Sequence, residues 1–299
     1  MKQELIIVRY SEIALKAKAT RKYFEKTLIK NIKNALNKKQ ISNRIKREWG
    51  RIYVYTNQIN ESVDVLKNIF GIISISSAFK TKSDMESMVQ CSLSILKDKL
   101  TRDETFALRV TRDGKHGFTS QDVAVKIGDE IVKSTKAGVD LSNPDFELFI
   151  EVRDEDAYIF TEKIRGIGGL PFGTQGKVLA LIDSRESILA AWYLIRRGCS
   201  VLFVATEKKY NEKLDDFTSN WNIPKDILYI ENHGEKLYKE LNEMALEQNC
   251  VAVVTGHTLA SLSDIKLFKK YTRYPVLFPL VAMDENEINK ECKGRGIKG

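Results

Sequence analysis

Apolar residues recur along this chain in two rhythms, and the rhythm changes about halfway. Near the start, "ELIIV" is a short apolar run of strand length. It is followed by "TRKYFEKTLIKNIKNALNKK", in which Phe24, Leu28, Ile32 and Leu36 fall four residues apart and predict a helix with Thr20 as its N-cap. "SNRIKREW" and "RIYVYT" alternate on either side of Gly50 and predict a hairpin. "ESVDVLKNIF" predicts a second helix and "IISISSAF" a closing strand. The order β-α-β-β-α-β is that of a ferredoxin-like unit, given the bounds 1–80.

Residues 81–165 read as a second unit. "SDMESMVQCSLSILKDKL" predicts a helix with Met85, Met88, Cys91, Leu93 and Ile95 on its apolar face. "TFALRVTR" is a strand, and "SQDVAVKIGDEIVKSTK" a helix buried through Val123, Ile127 and Ile131. "FELFIEV" and "AYIFTEKI" pair across the turn "RDED". The glycine-rich "RGIGGLPFGTQGK" supplies a linker at 166–175. From residue 176 to 299 the pattern changes to continuous apolar strands, "KVLALI", "SVLFVAT", "ILYI", "CVAVVT" and "PVLF". The helices "ESILAAWYLIRRG", "YNEKLDDFTSNW" and "EKLYKELNEMALEQN" lie between them. Such runs predict a parallel, Rossmann-like sheet covered on both faces.

Charge sharpens this picture. The net +8 is concentrated in residues 1–60, which hold 15 Lys/Arg against 4 Asp/Glu; the rest of the chain is slightly acidic. A basic block on a near-neutral body points to a polyanionic partner, with a solvated lysine-rich helix face as the alternative. No run of 18 apolar residues predicts a membrane span, and the N-terminus does not read as a signal peptide, so a cytoplasmic location is expected. Cys91, Cys199, Cys250 and Cys292 form no CxxC pair. They read as reduced thiols rather than a metal site or a disulfide framework.

Three long motifs, in series, resemble one family. "VRYSEIALKAKATRKYFEKTLIKNI", then "VDLSNPDFELFIEVRDEDAYIF" with "GIGGLPFGTQGKVL", then "VVTGHTLASLSD" with "PVLFPLVAMDENEI" are similar to segments of the ThiI-type tRNA sulfurtransferases, or tRNA 4-thiouridine synthetases. The likeness covers nearly the whole chain. It implies a ferredoxin-like domain and a THUMP domain that together bind tRNA, then an adenine-nucleotide-binding PP-loop domain. In active members that last domain adenylates a tRNA uridine, and a cysteine persulfide delivers the sulfur.

The joint between "KVLALI" and its helix departs from the pattern the resemblance implies. Where the PP-loop reads S-G-G-x-D-S-P, this chain reads "IDSRES": Asp183 and Ser184 stand for the two glycines, Glu186 for the aspartate, and Ile188 for the proline. A Cβ blocks the close approach of phosphate to backbone N–H groups. A carboxylate about 4 Å from a phosphate oxygen is repelled by roughly 4 kcal/mol at an effective dielectric of 20. Arg185 could offset part of that repulsion. Ala205-Thr206 replaces an expected His-Phe pair, Ile265 replaces a glutamine, and "EKLYKELNEMALEQN" lacks the expected arginine. The chain also stops 15 residues past Asp284, before the position of the family's sulfur-carrying cysteine. Leu181, Ile182, Ser184, Ser187 and Gly256 are what remains of a nucleotide site, and no catalytic or metal-ligating residue is assigned.

The RNA-facing residues are better kept. Lys16, Lys18, Arg21 and Lys22 cluster at the start of the first long helix. Arg109 and Arg112 lie on a strand, with Lys115 and His116 on the loop after it, and His116 or Phe118 are candidates for stacking on a base. Arg44, Lys46 and Arg47 either join them or guard a sheet edge. Trp49 is expected to pack between hairpin and helix, Trp192 and Trp221 in the core, and His257 as a satisfied loop histidine. The expected function is that of a tRNA-binding THUMP protein related to the sulfurtransferases, without ATP-dependent thiolation of its own and without a required cofactor. Its C-terminal domain would then serve as a scaffold or a surface for a protein partner. The alternative is an active ATP- and magnesium-dependent enzyme using an external sulfur donor.

Overall fold

The computed structural model describes residues 5–10, 12–97 and 99–298. Glu4, Ser11 and Asp98, which fall within motifs quoted above, lie outside them. The chain runs β1 (Leu5–Arg9), α1 (Lys18–Lys38), β2 (Arg44–Glu48), β3 (Arg51–Tyr55), α2 (Ile59–Leu66), β4 (Ser74–Lys82), α3 (Met85–Leu96), β5 (Thr105–Asp113), α4 (Ser120–Thr135) and β6 (Gly138–Val139). Then come β7 (Phe146–Arg153), β8 (Asp156–Phe160), β9 (Ile164–Arg165), β10 (Lys177–Ile182), α5 (Arg185–Arg196), β11 (Ser200–Ala205), α6 (Tyr210–Asn220) and β12 (Ile227–Tyr229). The last elements are α7 (Glu235–Glu247), β13 (Cys250–Val254), α8 (Leu262–Tyr271), β14 (Val276–Leu277) and α9 (Glu285–Gly294). They form two compact units: one of residues up to Arg9, 36–67 and 74–165, the other of 10–35, 68–73 and 166 onward.

The first unit is built on one sheet, ordered β2-β3-β1-β4-β8-β7-β5-β6, with β9 paired to β4. Its pivot is β4. Ser74–Ala78 pair with β1, and Phe79–Lys82 pair with β8, so a single strand belongs to both the ferredoxin-like and the THUMP-like parts. Helices α3 and α4 cover one face of the THUMP part through Met88, Cys91, Ile95, Val123, Ile127 and Ile131, the stripes expected from their spacing. A second apolar cluster contains Leu5, Ile7, Tyr53, Ala78, Tyr158 and Phe160, with Tyr53 stacked on Tyr158. Beside it lies a buried ion pair. Glu151 accepts from Arg9 at 2.6 Å and from Arg51 at 3.0 Å, and Arg9 also donates to Ser76. Burial works against the Glu151 carboxylate, but the two guanidiniums prevail and hold it below its ordinary value.

The second unit contains a parallel five-stranded sheet, ordered β12-β11-β10-β13-β14. Strand β10 explains its own sequence. Val178, Ala180 and Ile182 face one buried cluster with α5, and Leu179 and Leu181 face another with α7, so the run is apolar throughout. The glycine-rich stretch after residue 165 packs closely here. Gly169 has φ +76, and a Cβ on it would lie 2.2 Å from the Arg196 carbonyl oxygen.

Several expectations need correction. Thr20 does not cap α1, which begins two residues earlier at Lys18; Lys18 and Ala19 are good helix formers and extend the N-terminal turn. Trp49 is 63% exposed, because it sits at the hairpin tip beside Gly50 rather than under a helix. Helices α8 and α9 and the two-residue strand β6 lie outside the elements that the apolar pattern predicts.

Candidate functional site

In a parallel sheet of this order the crossovers reverse direction between β10 and β13, and a crevice opens beyond the C-terminal ends of those strands. A cavity of about 640 Å³ lies there. Asp183, Ser184 and Glu186 from the β10–α5 joint wall one side, Gly256 and His257 after β13 another, and Met283–Glu285 after β14 a third. Asp264 completes a lining that, among the described residues, has five carboxylates and one imidazole and no lysine or arginine.

The joint has closed on itself. Ser184 caps α5, its hydroxyl accepting from the Ser187 N–H at 3.2 Å. The Ser187 hydroxyl accepts from the N–H groups of Asp183 and Ser184, each at 3.2 Å, and donates to the Ser184 carbonyl at 2.6 Å. The Tyr210 hydroxyl donates to the Asp183 carbonyl. Ser184 has φ −156, an extended backbone that any residue adopts, so a residue with a Cβ sits there without backbone strain. Gly256 is needed for packing: a Cβ there would lie 2.4 Å from the Ser187 nitrogen. Leu181 and Ile182 are buried β10 residues.

Charge at the joint is arranged among the residues themselves. Arg185 donates to Glu186 at 2.8 Å and also bonds Asn289. Burial opposes the Glu186 carboxylate, but Arg185 holds it below its ordinary value. Burial pushes the Asp183 carboxyl up, against the pull of His257 and the neighbouring serine hydroxyls. His257 Nε2 is 3.8 Å from Asp264, while its buried Nδ1 has no hydrogen-bond partner, so the satisfied loop histidine expected from sequence is not what the fold contains. Sequence reasoning also missed Tyr210, which lies outside the quoted family motifs, and Asp264 and Glu285, which lie within "VVTGHTLASLSD" and "PVLFPLVAMDENEI" but meet at one cavity only in the fold. Among the described residues no cluster of three or more His, Cys, Asp or Glu could hold a metal ion.

The basic candidates fall in two places, each within its own unit. Lys16, Lys18 and Lys22 are exposed and Arg21 half-buried at the start of the 21-residue α1, whose first turn contains no acidic residue to offset the helix dipole. In the other unit, Arg109 donates to Glu147 at 2.7 Å and to the Leu141 carbonyl at 2.9 Å, so its guanidinium is engaged at home. Arg112 and Lys115 are exposed on β5 and the following loop, with His116 beside them. Phe118 packs against the core of the unit. On the hairpin, Lys46 pairs with Glu48 and Arg44 lies over the Tyr55 ring.

A ferredoxin-like part and a THUMP-like part sharing β4, with a parallel α/β sheet whose crevice lies at the strand reversal, define the class of THUMP-containing proteins with a Rossmann-like domain. Family models agree: the ThiI ferredoxin-like domain matches residues 5–76, the THUMP domain 82–162, and the family described as thiamine biosynthesis protein (ThiI) 223–297. The chain belongs to the ThiI-type tRNA sulfurtransferase family. It is 35% identical to a probable tRNA sulfurtransferase of Methanocaldococcus jannaschii over 333 aligned positions, covering 97% of this chain and 87% of that one. It is 31% identical to one from Methanobrevibacter smithii, covering 99% and 87%. Among solved structures it resembles a 4-thiouridine synthetase–RNA complex with bound ATP, with TM-score 0.84, 28% identity and coverage of 99% and 86%. A Pyrococcus horikoshii protein aligns with TM-score 0.85 and 28% identity, covering 98% and 99%.

Proposed function

We propose that this chain binds tRNA and does not itself drive ATP-dependent thiolation. The tRNA reading rests on the THUMP domain, on the basic residues around Lys18 and Lys115, and on the RNA-bound relative. The second half of the reading rests on one observation above all. The N–H groups of Asp183 and Ser184, which a triphosphate would need, are already bonded to the Ser187 hydroxyl beneath a carboxylate-lined cavity. Phosphates do not fit that lining, and among the described residues no three His, Cys, Asp or Glu converge to hold a metal ion, so no step through ATP is derived. The cysteines support the same reading. Burial raises the thiols of Cys91 (to about 11), Cys199, Cys250 and Cys292, which leaves them poor nucleophiles for carrying sulfur. In this reading the α/β unit serves as a scaffold or a protein-partner surface in the cytoplasm. Among the described residues no helix is long and apolar enough to cross a membrane.

The test is calorimetric titration with magnesium-ATP, with pyrophosphate release measured in the presence of tRNA. No heat at micromolar ATP and no pyrophosphate above the protein-free control are expected. Full-length likeness to an ATP-bound synthetase favours the other reading, an active enzyme with an external sulfur donor. Tight ATP binding with tRNA-stimulated pyrophosphate release would establish it.

A further inference from the structure

The loop between β5 and α4 is assembled around one imidazole. His116 Nε2 lies 2.8 Å from the Asp154 carbonyl oxygen, in the turn between β7 and β8. A carbonyl only accepts, so Nε2 carries the proton. Nδ1 then offers its lone pair to Arg112 Nη1 at 3.3 Å, and that same nitrogen donates to the Gly114 carbonyl at 3.0 Å. The ring also lies 5.2 Å from Phe118, centroid to centroid, and Phe118 is packed on the core. Gly114, at φ +101, lets the chain pass the turn; a Cβ there would lie 2.7 Å from Asp154 Oδ1. At the far end a Thr119–Asp122 capping box starts α4. Both ring nitrogens are therefore engaged inside the protein, while Lys115 next to them is exposed.

We propose that His116 is a positioning residue for RNA binding and does not touch the RNA. As the Nε2–H tautomer it fastens the β5–α4 loop to the β7–β8 turn, so that Lys115 and Arg112 meet the phosphates from a loop that is already ordered. The proposal rests on the tRNA reading above and differs from the expectation that the imidazole stacks on a base.

Binding of unfractionated tRNA is measured across a range of potassium chloride for wild type, H116A, H116Q and K115A. H116A is expected to weaken binding about five- to tenfold, the cost of ordering a loop on binding, with an unchanged salt slope. H116Q retains an N–H for the Asp154 carbonyl and recovers most of the affinity. K115A lowers the slope by about 0.7–0.9, as follows when one phosphate is no longer neutralised. A reduced slope in H116A, unchanged affinity in H116A, or H116Q as weak as H116A overturns the proposal. Long-range nitrogen NMR of the wild-type imidazole gives a readout that needs no variant to fold: an Nε2–H tautomer supports the proposal and an Nδ1–H tautomer defeats it. Wild type that fails to bind tRNA at all removes the tRNA reading itself, which distinguishes the two failures.

Discussion

A serine hydroxyl has two lone pairs and one proton, and Ser187 commits all three within the joint. That residue, 1% exposed, ties the β10–α5 joint together as part of the cap of α5. Its neighbour Asp183 is held at a cost. Burial raises its carboxyl in the folded state, so the folded protein is penalised when that group is ionised. The penalty is full above the folded pKa and vanishes below the unfolded one. Asp183→Asn is therefore expected to raise the melting temperature at neutral pH, with the gain shrinking as pH falls through that range. Melting curves from pH 7 downward check this, and a gain that grew in acid would contradict it. The substitutions at the joint were legible in the sequence. The capture of its backbone donors was not, because it depends on rotamers and on Tyr210, 27 residues away.

Helices and strands with a strong apolar rhythm were the most legible elements. Phe24, Leu28, Ile32 and Leu36 in α1, and Val123, Ile127 and Ile131 in α4, are all buried as their spacing implies. Helix α9 is not legible in the sequence because "ENEINKECKG" buries only Ile288 and Cys292, too few apolar residues to mark a face. Strand β6 has two residues, too short for any alternation. Trp49 departs from the burial that a large aromatic ordinarily seeks because it sits at a hairpin tip, where it is largely exposed. The fit between elements suggests its own test. Gly256 follows β13 and lies against the backbone of the first turn of α5, so Gly256→Ala must push the helix or the loop aside. A loss of about 1–3 kcal/mol in urea unfolding is expected, typical of overpacking. A neutral result would mean that the joint yields easily.

Across the whole molecule the charge bias was readable and its partners were not. Residues 1–60 hold the net positive excess, 15 Lys/Arg against 4 Asp/Glu, yet Arg9 and Arg51 spend theirs on Glu151, at least 100 positions further along the chain. No local pattern announces such a pairing, so the basic block overstates the charge free to meet RNA. Lys18 and Lys22, exposed at the head of α1, are in the remainder. The double substitution of both by alanine is expected to lower the salt slope of tRNA binding by about 0.7–0.9 for each phosphate that loses its lysine, while melting temperature stays near that of wild type. A slope equal to wild type would assign these lysines to solvent.

Strand β4 carries a consequence for how this protein can be taken apart. The cut that looks natural from the sequence, near residue 80, runs through a strand whose front half is hydrogen-bonded to β1 and whose back half is bonded to β8. A fragment starting there would expose the raw edge of β8, which loses Phe79 and Lys80, and one ending there would keep the partner of β1 but leave those two residues as an unpaired strand end. Evolution or an engineer wishing to transplant the THUMP part alone would have to duplicate β4 rather than divide it.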